Sequence, residues 1–352
     1  MKIGFLSYYG PLNFELESDG TRENGNRRFI ELGKELKQSK IEYENYNSLF
    51  HSNYDVIIVN DIPNLLNLFN LKFKNLYYRV PLILLIEETQ IARNRILLLV
   101  KGIFDEVLVN TEEEIYKFKN YRTSNFSLAS IPSKGEILKN KSFILNSNRH
   151  NKIVYIGRNK TALSKNSSYS FRTKIIIKLS KYKRFFTLYG DNWDKRQIPM
   201  DIPFIFLIKK FKILSNLIIY IINIKKFLVF CKGSVPSKLI TQNKYDFTLA
   251  IEPYMGHPIS ILEKIFDPML SGSIPIYYGP ELKFIPSNCY IRINRNTTEK
   301  DILLILENLK FEDKEKYRKN IYNFLISDKA NKYRYSTFAK FLVNKIKKRG
   351  NH

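Results

Sequence analysis

A chain of 352 residues is long enough for two domains of ordinary size, each burying its own core. Its 44% hydrophobic and 14% aromatic residues exclude a disordered protein, and its two cysteines, Cys231 and Cys289, speak against a disulfide framework or a zinc module. The formal charge of +25, from 58 basic and 33 acidic residues, favours an anionic partner such as nucleic acid, an acidic membrane or a phosphorylated substrate. A composition rich in Lys, Asn and Ile accounts for the same excess, so charge alone selects no function.

The opening Met1-Lys2-Ile3-Gly4-Phe5-Leu6-Ser7-Tyr8 has too short an apolar run for a signal peptide and predicts a buried strand over 3–7. Helical spacing follows over 27–38. Residues 55–60, 81–86 and 106–109 read as short buried strands that end on polar residues, the pattern of a parallel sheet covered on both faces. Functional residues of such sheets gather just beyond the carboxyl ends of the strands, which singles out Asn60-Asp61, Glu87-Glu88 and Asn110-Thr111.

Between 124 and 151 the pattern weakens into a polar stretch, and the domain boundary is placed near 148. The alternation resumes with strands predicted over 152–156, 185–189, 246–251 and 274–278 and helices over 171–182 and 261–270. Two successive α/β units, 1–148 and 149–330, predict an α/β fold of two Rossmann-like domains, the architecture of glycosyltransferase B proteins. The segment 203–230 is apolar but bracketed by Lys209, Lys210, Lys212, Lys225 and Lys226; it reads either as a helix lying in an anionic membrane interface or as a buried helical hairpin. Its uncharged core, 213–224, is shorter than the roughly 20 residues of a spanning helix. Residues 331–352 read as a basic helix or tail, with Lys345 to Arg349 as a solubilising end. The cysteine usage suits a reducing, cytoplasmic compartment, on whose membrane face the protein would be peripheral.

The most specific signal lies between Lys238 and Gly279. Lys238-Leu239 is followed by the strand Tyr245-Asp246-Phe247-Thr248-Leu249-Ala250-Ile251-Glu252. The helix Glu263-Lys264-Ile265-Phe266-Asp267-Pro268-Met269-Leu270 comes next, and Ser271-Gly272-Ser273-Ile274-Pro275-Ile276-Tyr277-Tyr278-Gly279 closes the region. This order and spacing resemble the signature region of the family 10 glycosyltransferases, the α-1,3/1,4-fucosyltransferases. Asn159-Lys160, Phe171-Arg172, Leu188-Tyr189-Gly190 and Trp193 occur in the same family's order upstream, so the resemblance covers roughly residues 150–325.

What the resemblance implies is an inverting transferase that moves fucose from GDP-fucose to a hydroxyl of a glycan acceptor, such as a bacterial surface polysaccharide or lipopolysaccharide, with no metal cofactor required. Negative charge develops on the diphosphate leaving group, and an enzyme without a metal meets it with cations and N–H donors. Arg172 and Lys264 match the family's phosphate-contacting positions, Lys264 in the first turn of a helix whose N-terminus itself favours anions. Glu263 matches the glutamate that bonds the ribose hydroxyls, and Asn159, Tyr245 and Glu252 fall in the donor site by the same matching. A carboxylate of the first domain takes the acceptor proton in that family; rough alignment gives Glu87, with Glu88 beside it and Asp61 as a further candidate.

The sequence departs from the family at Pro253, where the family has an asparagine, at Ser260 and Leu262, which replace a tyrosine and a threonine, and at Tyr278, which replaces a tryptophan. The first three fall among expected donor contacts and leave a different nucleotide sugar open. Asp191-Asn192-Trp193-Asp194 has a spacing that can hold a cation but matches the family as a structural element. His51, His150, His257 and His352 lack metal-ligand spacing, and no phosphate-binding glycine loop occurs. The remaining alternatives, a basic nucleic-acid-binding protein and a catalytically dead glycan-binding relative, lack any supporting motif; no nucleic-acid partner is expected.

Overall fold

The structure is a computed structural model that describes residues 1–7, 10–15, 26–61, 65–86, 102–109, 122–126, 130–162, 167–194, 197, 213, 217, 229–253, 255 and 263–350. The first half is built on a six-stranded parallel sheet with order β2-β1-β3-β4-β5-β6. Its strands are β1 (Lys2–Ser7), β2 (Glu42–Asn45), β3 (Val56–Asn60), β4 (Leu82–Ile86), β5 (Glu106–Val109) and β6 (Thr123–Asn125). Every residue of β3, β4 and β5 is buried, which is why these strands are apolar apart from Asn60 and Glu106 at their ends. The edge strand β2 reads Glu-Tyr-Glu-Asn and is largely exposed. Helix α1 (Arg27–Gln38) packs Phe29, Leu32 and Leu36 on one side of the sheet, and α2 (Leu65–Tyr78) packs Leu68 and Leu71 on the other.

The second half repeats the plan. Strands β7 (His150–Ile156), β8 (Phe186–Tyr189), β9 (Tyr245–Ile251), β10 (Ile274–Tyr278) and β11 (Ile291–Arg292) form a parallel sheet, order β8-β7-β9-β10-β11. Helices α3 (Lys134–Lys139) and α4 (Lys141–Ile144) precede it, and α5 (Tyr169–Leu179), α6 (Lys238–Asn243) and α7 (Glu263–Ser271) cross between its strands. Helices α8 (Glu299–Asn308), α9 (Phe311–Ile326) and α10 (Tyr335–Gly350) follow. In each half the first strand lies centrally, the second joins one side of it and the third the other. The topological switch points therefore fall between β1 and β3 and between β7 and β9.

Packing moves the boundary upstream of the polar stretch at 148. Ile131, Ile137 and Ile144 already belong to the core of the second half, together with Ile265, Phe266 and Tyr333, so the chain crosses over near 130. It crosses back beside that point. The N–H groups of Ser130 and Ile131 donate to Tyr333 O at 2.9 and 3.0 Å, Tyr335 N donates to Ile131 O at 3.0 Å, and Arg334 Nη1 donates to Pro132 O at 2.8 Å.

The basic C-terminal segment is a packed helix rather than a solubilising tail. On α10, Phe338, Ala339, Leu342, Val343 and Ile346 enter the core of the first half against α1 and β1. Lys345 Nζ lies 2.6 Å and Arg349 Nε 3.4 Å from the carboxylate of Glu106, buried in β5, which also accepts from Ser124 at 2.9 Å. The spacing of cations every fourth residue placed them on the helix face that meets β5. The candidate interfacial segment 203–230 falls almost entirely outside the described residues, and among those described no helix is long and apolar enough to cross a membrane.

Burial opposes the charge on Glu106, but the hydrogen bonds from Lys345 and Ser124 and the positive charges of Lys345 and Arg349 prevail and hold its carboxyl below the usual range. A depressed carboxylate stabilises the fold above its unfolded pKa, and the contribution disappears as pH falls through the folded value. Glu106→Gln is expected to destabilise the protein by about 2 kcal/mol at neutral pH, a figure below that of a fully buried pair because Lys345 and Arg349 reach solvent. Urea unfolding of both proteins should show that gap closing on acidification below the ordinary glutamate range; a gap that stays constant excludes the ionic contribution.

Candidate functional site at the carboxyl edge of the second sheet

The loop that leaves β7 is fixed by the loop that leaves β8. Gly190 has φ +124°, and a Cβ built on it would lie 2.2 Å from Gly157 O, so only glycine allows this approach. Trp193 Nε1 donates to Gly157 O at 2.8 Å and Asn159 N donates to Asp191 O at 3.0 Å. The tyrosine-glycine and tryptophan of the signature therefore hold the segment that carries Arg158, Asn159 and Lys160. Asp191 pairs with Arg158 at 2.9 Å, and among the described residues no group of three or more His, Cys, Asp or Glu side chains could hold a metal.

Asn159 is buried, and its Oδ1 accepts from Thr173 Oγ1 of α5 at 3.4 Å. Arg172, one residue earlier on α5, is 3% exposed. Its Nη2 donates to Arg158 O and Lys160 O, both at 3.3 Å, and its guanidinium lies 4.3 Å from the centre of the Tyr169 ring. No carboxylate pairs with it among the described residues, and its Nε has no hydrogen-bond partner. The Ser168 hydroxyl at the start of α5 is likewise buried without a partner. Ser168 makes no side-chain cap; Tyr169 N donates to Ser167 Oγ at 3.2 Å, and the N–H groups of the next residues are left to other acceptors. A buried cation and orphaned donors at a helix N-terminus form a place for an anion.

Two contacts bring α5 to the end of β9. Ser168 N donates to Pro253 O at 2.8 Å, and the Phe171 ring stacks on Tyr278 of β10 with centroids 4.3 Å apart. Glu252, the residue after β9, is 1% exposed, and its N–H donates to Tyr278 O at 2.8 Å. Gly279 makes room for it. A Cβ at that position would lie 2.6 Å from Glu252 Cγ and 2.3 Å from Tyr277 Oη. Burial, followed by the charge of Glu252, pushes the Tyr277 hydroxyl far above its ordinary pKa, so it stays protonated. Arg292 closes this side by donating to Gly279 O at 2.6 Å and Pro280 O at 2.8 Å.

Lys264 stands in the first turn of α7, which a right-handed β-α-β crossover starts at the carboxyl end of β9. Glu263 opens the same helix. Arg172, Asn159, Glu252, Glu263 and Lys264 thus share one edge of the sheet, at the β7/β9 switch point. Tyr245 does not join them. It opens β9 at the amino edge, opposite His150 in register, six residues or about 20 Å along the strand from Ile251. There its hydroxyl lies 3.3 Å from that of Tyr189, in a small core with Val154, Ile156 and Val235. The motif match at Tyr245 reflects packing.

In the first half, Asp61 follows β3 at the other switch point. It is buried, its N–H donates to Leu85 O at 2.8 Å, and it holds φ +57°, a left-handed conformation rare outside glycine. The amide oxygen of neighbouring Asn60 is buried without a partner among the described residues. Glu87, Glu88, Asn110-Thr111, His257, Ser260 and Leu262 lie outside the described residues. Sequence reasoning missed Ser168, Arg158 and Arg292. The available signal was position alone: Arg158 follows an apolar strand and Ser168 precedes a helix.

No protein-family model and no curated protein matches the sequence. Solved structures match over nearly its whole length. An α-glucosyltransferase in complex with UDP and a 13-mer DNA aligns over 99% of this chain and 100% of its own, with TM-score 0.59 and 12% identity. A glycosyltransferase from Rickettsia africae aligns over 99% and 98% with TM-score 0.50 and 11% identity. An α,α-trehalose-phosphate synthase (UDP-forming) from Burkholderia vietnamiensis aligns over 93% and 78% with TM-score 0.50 and 9% identity. At these identities the likeness concerns the fold, and the fold of this chain is that of the glycosyltransferase B proteins.

Proposed function

We propose that the chain is a glycosyltransferase that takes a sugar from a nucleotide-sugar donor bound at the carboxyl edge of the second sheet. The observation that carries this reading is Arg172, a buried guanidinium with an unpaired Nε beside the buried Ser168 hydroxyl at the start of α5. A diphosphate supplies the anion such a group lacks, and the negative charge growing on it as the sugar departs is what Arg172 and Lys264 would stabilise, in place of a metal. Glu263 takes the ribose hydroxyls by the motif resemblance. In the inverting reaction the acceptor hydroxyl oxygen bonds to the anomeric carbon and the bond to the diphosphate oxygen breaks. The hydroxyl proton passes to a carboxylate of the first half.

The motif resemblance supports GDP-fucose as donor and a glycan, such as a bacterial surface polysaccharide or lipopolysaccharide, as acceptor, with the protein working in the cytoplasm. Pro253 favours a second reading within the same fold. It offers a carbonyl to Ser168 but no side-chain amide where the resembled family has an asparagine, so a different base or sugar fits equally well.

Unfolding scans with GDP, UDP, dTDP and their sugars test both readings. A nucleotide at a hundredfold excess over its Kd is expected to raise stability by about 2.7 kcal/mol. Arg172→Ala should abolish that gain while leaving the unliganded protein within about 1 kcal/mol of wild type, because removing a buried cation also removes its desolvation cost. No response of the wild type to any nucleotide, with salt-sensitive DNA binding in its place, would sink the assignment.

Gly279→Ala is expected to displace Glu252 and Tyr277, costing about 1–3 kcal/mol of stability and lowering nucleotide affinity; isothermal titration and urea unfolding check both. For the base, replacement by the amide should lower kcat by roughly 10²–10⁴-fold with nucleotide binding intact. Glu87→Gln is the variant in which that loss is expected, and its appearance in Asp61→Asn instead would assign the proton transfer to the end of β3.

A further inference from the structure

Helix α2 buries only one of its two apolar faces. Leu68 and Leu71 enter the core of the first half, whereas Leu66, Phe69, Phe73, Leu76 and Tyr77 are exposed, Phe73 by 81% and Tyr77 by 84%. At about 100° per residue these five fall within an arc of about 100° on the side away from Leu68 and Leu71, with Lys72 and Lys74 along its two borders. The 3-10 turn Ser48–Asn53 beside α2 also exposes Leu49 and Phe50. That turn is fixed to α2 by the Lys74 ammonium, which donates to Ser48 O, and by the His51 ring 5.6 Å from Tyr78. Contiguous apolar surface of this kind on a folded protein marks something that covers it.

We infer that α2 and the adjoining turn dock on the surface of an anionic lipid bilayer. The residue types are those of an interfacial helix: leucines and aromatic rings on one face, with lysines at its borders, the rings able to sit at headgroup level and the Lys72 stem able to reach the phosphates. Charge selects lipid over a second copy of the chain. Helix α2 and the turn Ser48–Asn53 hold no acidic residue, and the carboxylates nearest the turn, Glu44 and Asp55, are already bonded to Lys2, so two such faces would bring Lys72, Lys74 and Arg79 of both copies together with little to offset them. An anionic headgroup layer offsets them directly, and the net charge of +25 acts in the same direction. This surface lies on the first half and does not depend on the donor chemistry assigned to the second.

Co-sedimentation of the full chain with vesicles, without donor or acceptor, tests the inference. The wild type should sediment with vesicles of equimolar phosphatidylcholine and phosphatidylglycerol, and far less with phosphatidylcholine alone. Phe73→Ser with Tyr77→Ser should lower the partition coefficient at least about tenfold, because two large apolar side chains lose their interfacial burial. Lys72→Glu should weaken binding to the anionic vesicles and flatten its salt dependence. All three sites are at least partly exposed, so the variants should keep the wild-type Tm; Leu66→Ser provides an independent check on the same stripe. Wild-type protein that stays in the supernatant overturns the inference, and so does anionic-vesicle binding that the double variant leaves unchanged. A wild-type dimer in light scattering that the double variant dissolves would give the face to a second copy instead.

Discussion

The pair of chain crossings at 130–132 and 333–335 is the constraint on which the arrangement of the two halves depends. Both strands of the crossing are held in one short parallel bridge, with backbone bonds running in each direction and the Arg334 guanidinium spanning from Pro132 O to Leu325 O. A single linker would leave the halves free to swivel; two that are bonded to each other restrict motion to bending about their common line. The return crossing is anchored on its far side by α10, whose apolar face completes the core around α1 and whose cations neutralise Glu106. Without α10 the first sheet would expose Ile3, Phe5 and the inner face of α1, and a carboxylate would stand buried in β5 with no countercharge. One face of the sixteen-residue helix α10 is thus part of the first domain's core, although it follows the whole second sheet in the sequence.

The site in the second half shows the opposite balance. Here a guanidinium is buried with backbone carbonyls and a tyrosine ring for company, and a serine hydroxyl beside it has no partner. A stable fold gains nothing from this arrangement. Elsewhere in the same domain buried cations are matched by acids: Lys238 with Asp267, and Lys314 and Arg318 with Asp246. Arg334, the other buried arginine without an acid partner among the described residues, has all its guanidinium nitrogens bonded to Asn331, Pro132 and Leu325, whereas Arg172 keeps an unbonded Nε. The surrounding constraints keep it in place. Gly157 against Gly190, Phe171 against Tyr278 and Gly279 under Glu252 are close approaches that leave α5 and the strand ends little freedom to relax toward one another.

Much of this was legible in the sequence, for reasons that differ by element. The interior strands were readable because a strand covered on both faces needs apolar residues at every position, and 56–60, 82–86 and 274–278 have them, apart from the Asn60 and Pro275 that a strand end and a strand's second residue tolerate. Helix α5 and Arg172 were readable from the order of motifs. Helix α2 was not, since its two apolar stripes fill nearly the whole helix and erase the contrast on which periodicity depends. The boundary at 148 falls some eighteen residues past the crossing because polar composition marks exposed surface, and the exposed Ser147-Asn148 lies within the second half, downstream of the crossing. Tyr245 was misassigned because a motif reports that residues occur together, which packing and ligand contact can both require.

That distinction bears on how far the signature region can speak about the donor. Of its residues, Lys238 and Asp267 form an ion pair inside the core, Asp246 anchors α9, Phe247 and Ile276 face other apolar side chains, and Gly272, at φ +70°, is packed against Ile144 O. These requirements follow from building a parallel sheet with its crossover helices, and they would hold whichever nucleotide sugar were bound. Only the residues just past the carboxyl ends of the strands, and the first turn of the helix that follows, are placed where a ligand can discriminate. At that edge stand Arg172 and Lys264, the two cations the motif resemblance matches to phosphate contacts, a role indifferent to the base and the sugar. The chain differs at Pro253, where a base- or sugar-specific contact would be made. Under the proposed reading, cations at that edge would serve any nucleotide-diphosphate donor, and the choice of sugar would fall to the few residues between 253 and 262, where the match to the resembled family is poorest.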